Sequence, residues 1–191
     1  SSFVPPEIRR GAILTLWFTA DTHFGHENII QYCSRPFSSV QEMDETLIAN
    51  WNQAVKPDET IYHLGDFTLA GEDTARVYFQ RLDGKIHLVP GGHDWKWLRG
   101  GEYYSRSGHR VTILPPLHTI KVPQIDHNTP QQVVLCHYAM RVWDRSHYGS
   151  WHLYGHSHGN LPPLENSLDV GVDNWGYQPL SLKEVENEIT G

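Results

Sequence analysis

Apolar runs of strand length alternate along this chain with stretches of helical period, and most of the runs stop at a glycine, an aspartate or a histidine. Ala12 to Ala20 is nearly unbroken and rich in β-branched and aromatic residues, the pattern of a strand covered on both faces. It gives way at Asp21 to the polar loop Asp21-Thr22-His23-Phe24-Gly25-His26. Glu27 to Tyr32 reads as a short helix closed by the Ser34-Arg35-Pro36 turn. Ser39-Val40-Gln41-Glu42 then has capping-box spacing, and Met43, Leu47, Trp51 and Ala54 form an apolar stripe running to Lys56-Pro57.

Thr60 to Leu64 is a second strand that ends in Gly65-Asp66, and Thr74 to Leu82 a helix stopped at Asp83-Gly84. Lys85 to Val89 is a third strand, entering Pro90-Gly91-Gly92-His93-Asp94. This succession of strand, helix and strand predicts βαβ units in a largely parallel sheet. Val111 to Leu114 and Leu117 to Val122 read as a hairpin around Pro115-Pro116, at a sheet edge because proline cannot donate to a ladder. Gln132 to Cys136 delivers His137, Leu153-Tyr154 delivers Gly155-His156-Ser157-His158, and Leu168 to Val172 is a last strand. Ser181-Leu182-Lys183-Glu184 opens a closing helix with a second capping box.

Composition narrows the partners. With 191 residues, 39% of them hydrophobic and 12% aromatic, the chain reads as a single globular domain spanning residues 1–191. A net charge of -7 supplies no basic field for long nucleic acid, although bound cations would reverse the local sign at one site. Neither a basic leader with an apolar core nor a run of membrane-spanning length stands in the sequence, so the expectation is a cytoplasmic protein with no membrane partner. Cys33 and Cys136 lack metal-knuckle spacing and are expected to be reduced and buried. Thirteen histidines change the picture more, because neutral imidazole is the commonest metal ligand.

Five strand ends thus carry Asp21 and His23, Asp66, His93 and Asp94, His137, and His156 and His158. Each taken singly has an ordinary reading, a helix cap or a satisfied core imidazole. Taken together, mixed carboxylate and imidazole donors suit zinc, iron or manganese better than calcium or magnesium. Several such donors with one bridging carboxylate fit two ions about 3.5–4 Å apart, an arrangement suited to displacement at phosphorus.

Asp21-x-His23, Gly65-Asp66, Gly91-x-His93-Asp94, His137 and Gly155-His156-x-His158 resemble, in order, the five signature blocks of the calcineurin-like metallophosphoesterase superfamily. Phe24-Gly25-His26 and Arg35-Pro36-Phe37 resemble a small, compact branch of it. The resemblance implies an α/β fold of two packed mixed β-sheets flanked by helices, a four-layer sandwich. It also implies that Asp21, His23, Asp66 and His158 hold one divalent ion, with Asp66 bridging to a second held by Asp66, His137 and His156. Manganese, iron, zinc or nickel would serve, manganese being the first choice for activity. His93 is then expected beside the leaving group, with Asp94 orienting its imidazole.

One position departs from the pattern: where the third block usually carries an asparagine ligand of the second ion, this chain has Gly92. The second ion is therefore expected to be held more weakly, with a water, a substrate oxygen or Asn28 filling the vacancy. The implied activity is hydrolysis of small phosphodiesters or phosphomonoesters by a metal-bridging hydroxide, His93 assisting the leaving group. The alternatives are a nuclease using the same site, or a metal-binding scaffold whose catalysis is weakened by Gly92. Arg35, Arg141 and His26 are the candidate substrate contacts, and Trp143, His147 and Tyr148 the candidate pocket wall.

Overall fold

The computed structural model describes residues 15–124 and 127–191. Its elements run β1 (Leu16–Thr19), α1 (Glu27–Tyr32), α2 (Val40–Ala54), β2 (Thr60–His63), α3 (Glu72–Phe79), β3 (Lys85–Leu88) and β4 (Thr112–Ile113). They continue through β5 (Leu117–Val122), β6 (Gln131–Cys136), β7 (Trp151–Tyr154), β8 (Ser167–Asp169), β9 (Leu180–Ser181) and α4 (Leu182–Thr190). Ala12 to Leu14 of the first expected strand lie outside the described residues.

The strands divide into two mixed sheets. The first has the order β4-β3-β2-β1-β9, parallel except for β9; the second has β5-β6-β7-β8, parallel except for β5. This is the α/β architecture that the resemblance implied, two multi-strand sheets flanked by helices. Alternation decides which side chain faces which layer. Leu16, Phe18 and Ala20 join Val133, Leu135, Leu153 and Leu180 between the sheets, whereas Ile61, Ile86 and Leu88 face Met43, Leu47 and Trp51 of α2 and Phe79 of α3.

Two expected caps form. Ser39 accepts from the Glu42 N–H at the start of α2, and Ser181 and Glu184 make a reciprocal capping box on α4. Gly84 takes φ of 103°, closing the turn after α3. That helix begins two residues earlier than its apolar pattern suggests, because Glu72 and Asp73 favour a first helical turn behind Gly71, and it ends at Phe79.

The proposed hairpin does not form. β4 pairs in parallel with β3 in the first sheet, and β5 pairs antiparallel with β6 in the second. Pro115-Pro116 is thus the crossover between layers: two residues without N–H groups cannot continue either ladder. Both flanking strands are nevertheless sheet edges. The cysteines are free but only half-buried, contrary to expectation. No helix among the described residues is long and apolar enough to cross a membrane.

Register brings the strand ends together. Thr19 lies beside His63 and His63 beside Leu88, so the loops carrying Asp21, Asp66 and His93 leave the first sheet at one edge. Leu135 beside Leu153 does the same for His137 and His156 in the second. A bridge between Ala20 and Gly171 draws the ends of the two sheets into one patch.

Candidate metal centre

Asp21, His23 and His158 offer ligand atoms within 4.8 Å of one another, and so do Asp66, His137 and His156. All six residues singled out at strand ends as metal ligands therefore fall into two adjoining triads. Asp66 links them: its Oδ2 lies 3.1 Å from His137 Nε2 and 3.6 Å from His23 Nε2.

Those two imidazole nitrogens are buried without a hydrogen-bond partner. His137 Nδ1 is already committed to the Leu64 carbonyl at 2.7 Å, which fixes the proton there and leaves the Nε2 lone pair facing the carboxylate. A buried lone pair beside a carboxylate oxygen is unfavourable unless a proton or a metal cation stands between them. The donor set of imidazole nitrogens and carboxylate oxygens fits a divalent transition-metal ion.

The charges respond to the same crowding. Burial pushes the Asp21 carboxyl up to about 7, opposed by His158, His137 and the His156 N–H and reinforced by Asp66. Burial would also raise Asp66, but the His137 imidazole 3.1 Å from its Oδ2, with His23 and the His93 N–H, holds it well below the carboxylate range. Burial drives His23 well below its ordinary value, so its imidazole is neutral and able to ligate.

The backbone is strained where these side chains are held. Asp21, His23, Asp66, His156 and His158 have φ of 58°, 49°, 55°, 67° and 47°, five of the nine non-glycine residues with positive φ among those described. The left-handed region costs an L-residue of order 1 kcal/mol, and such strain concentrates at functional sites. Two motif glycines have a steric reason. A Cβ on Gly91 would sit 2.5 Å from Asp66 Oδ1, and one on Gly155 2.9 Å from Asp21 Oδ2.

The other expected residues fare differently. His93 is exposed beside the triads, its ring 5.7 Å from that of His23, and its N–H donates to Asp66 Oδ1 at 3.0 Å. Asp94 does not orient that imidazole as expected. Its buried carboxylate accepts from the Asp66, Phe67 and Gly91 N–H groups and from the Trp97 indole, four donors that saturate it. It pins the second and third blocks to each other.

Arg35 is not a phosphate grip. Its side chain is buried, and its five N–H donors are spent on both oxygens of Asp173, the Asp21 and Thr22 carbonyls and the Met43 sulfur. Arg141 lies exposed on the bend after His137. His26 is half-buried with Nδ1 3.4 Å from His23 Nδ1, at the rim of the first triad. Trp143 packs into its own loop, donating to the Ser150 carbonyl and lying against His152, while Tyr148 is 80% exposed.

Asp173 escaped the sequence reading. It accepts from His158 Nδ1 at 2.6 Å and from Arg35, so it fixes the His158 tautomer and leaves Nε2 for the first triad. Cys33, His158 and Asp173 also group together, but the Asp173 carboxylate is already neutralised by Arg35 and His158. Asp173→Asn should weaken divalent-ion binding at the first triad roughly 10–100-fold in a competition titration, with the second triad unaffected. Unchanged binding at both would remove this positioning role.

No family model matches the chain. It is 25% identical over 181 residues to the gene 66 protein of Mycobacterium phage L5, covering 84% of this chain and 87% of that protein. Among solved structures, a protein of unknown function from Aquifex aeolicus superposes with a TM-score of 0.68 over 92% of this chain and 99% of that one, at 23% identity. That likeness concerns the fold alone. An uncharacterized protein of Methanocaldococcus jannaschii is 31% identical over 176 residues, 87% of this chain and 86% of that protein, and the chain belongs to the same family as this archaeal protein.

Proposed function

We propose that the chain is a metal-dependent phosphoesterase of the calcineurin-like superfamily, acting on small phosphodiesters or phosphomonoesters. One observation carries the reading: a single carboxylate oxygen of Asp66 faces the orphaned Nε2 atoms of His23 and His137, each in its own triad. Asp21, His23 and His158 would hold one ion and His137 and His156 the other, with Asp66 shared. Divalent ions so placed supply Lewis-acid charge to phosphoryl oxygens and acidify water near neutral pH.

The chain's own groups do the rest. Neutral His23 would donate a lone pair without adding charge, while the carboxylates of Asp21 and Asp66 would offset only part of the cationic charge and leave a net positive site for an anionic ester. His93, exposed at the mouth and tethered through its backbone to Asp66, presents its imidazole to the departing oxygen and gives it a proton. The acidic balance of the chain speaks against a long polyanionic substrate.

The test is hydrolysis of bis(p-nitrophenyl) phosphate by metal-stripped protein with manganese added back. His93→Ala should lower turnover by roughly 10²–10⁴ on esters with poor leaving groups and much less on activated aryl esters. Equal losses on both would remove the proton-donor assignment, and no turnover with any divalent ion would leave a metal-binding scaffold.

A further inference from the structure

Gly92 has no side chain to offer the second triad, yet the space beside it is taken. A Cβ built on Gly92 would lie 2.8 Å from Tyr138 Oη, closer than real Cβ atoms approach an oxygen. Asn28, the filler considered from the sequence, is not the neighbour found there. Tyr138 directly follows His137, and its ring stands edge-on to both imidazoles of the second triad, 4.9 Å from His137 and 4.8 Å from His156.

The bend that carries it is held in place. His152, buried on β7, accepts from the Met140 N–H through Nε2 while its Nδ1 pairs with the Val134 carbonyl. Tyr138 is 47% exposed, so its hydroxyl is not fixed by enclosure in a core. Packing against two imidazoles requires only the ring; the oxygen goes further, to the place vacated by the Gly92 side chain.

We propose that Tyr138 supplies across the loops the donor that Gly92 lacks, its phenol oxygen completing the set Asp66, His137 and His156 around the second ion. This rests on the two-ion reading above. The phenol would add an oxygen donor to imidazole and carboxylate, and on ligating the ion it would release its proton to solvent. Gly92 and Tyr138 are then one exchangeable solution: a side chain at position 92 and a phenol at 138 compete for the same volume.

The test is calorimetric titration of metal-stripped protein with manganese, free of any activity readout. Wild type should take up two ions per chain. Tyr138→Phe, which keeps the ring and removes the oxygen, should weaken one of the two steps roughly 10–100-fold and leave the other unchanged. Gly92→Asn alone should give no gain, because the new side chain and the half-exposed Tyr138 Oη cannot occupy the same place, and one donor would only replace the other. Gly92→Asn in a Tyr138→Ala background should restore the step that Tyr138→Ala loses. Two steps in Tyr138→Phe identical to wild type would overturn the proposal and leave the two-ion reading standing. Fewer than two ions in wild type would overturn both.

Discussion

Asp94→Ala should cost the protein about 4 kcal/mol of stability, because removing one buried carboxylate strands four donors at once. Asp66 N–H and Gly91 N–H both donate to Oδ2 at 2.8 Å, while Phe67 N–H and the Trp97 indole donate to Oδ1 at 2.9 and 3.0 Å. None of these can turn to water without opening the loops, since Asp94 and Trp97 are fully buried. For a chain of this size the loss corresponds to a fall in Tm of roughly 10 °C. Asp94→Asn keeps one acceptor oxygen and should fall between wild type and alanine. The same change frees the Asp66 loop, so divalent-ion retention should drop with stability. Thermal unfolding with and without manganese checks this. An Asp94→Ala protein that melts like wild type, yet loses discrimination between good and poor leaving groups, would return Asp94 to the role of orienting His93.

The role of Asp94 marks where the sequence stopped being informative. Strand ends could be found because composition changes sharply there: Ala20 to Asp21, Leu64 to Gly65-Asp66 and Cys136 to His137 each pass from apolar to ligand-type residues in one or two steps. Period and caps located α2 and α4, since Ser39 and Ser181 act through bonds only three residues long. Hidden from such reasoning was everything set by distant pairing. Arg35 looks like a phosphate contact until Asp173, 138 residues away, is seen to occupy it. Strands β4 and β5 read as a hairpin because adjacency in sequence says nothing about which layer each joins. The left-handed backbone of five candidate ligands likewise has no local signature, since only the surrounding packing can hold aspartate and histidine there.

Asp66→Asn should remove both ions, where Asp21→Asn or His156→Ala removes one. The asymmetry follows from position: Asp21 belongs to the first triad and His156 to the second, but Asp66 Oδ2 faces imidazoles of both. An amide keeps the shape and can still accept from His93, but it places neutral charge between two groups that need an anion to hold a cation. Retention should fall at least ~10²-fold at each triad, the upper end of what losing a supporting partner costs. Linkage adds a second signature. The folded-state pKa of Asp66 is depressed, so its contribution to stability is present above the ordinary carboxylate range and is lost as pH falls through the folded value. Metal-free Asp66→Asn should therefore be less stable than metal-free wild type at pH 7, with the difference closing in acid. Elemental analysis after desalting, set beside melting curves taken from pH 7 downward through and below the ordinary carboxylate range, separates the two effects. An Asp66→Asn protein that keeps either ion as tightly as wild type would show that the triads are independent, and the shared-carboxylate reading would fall with it.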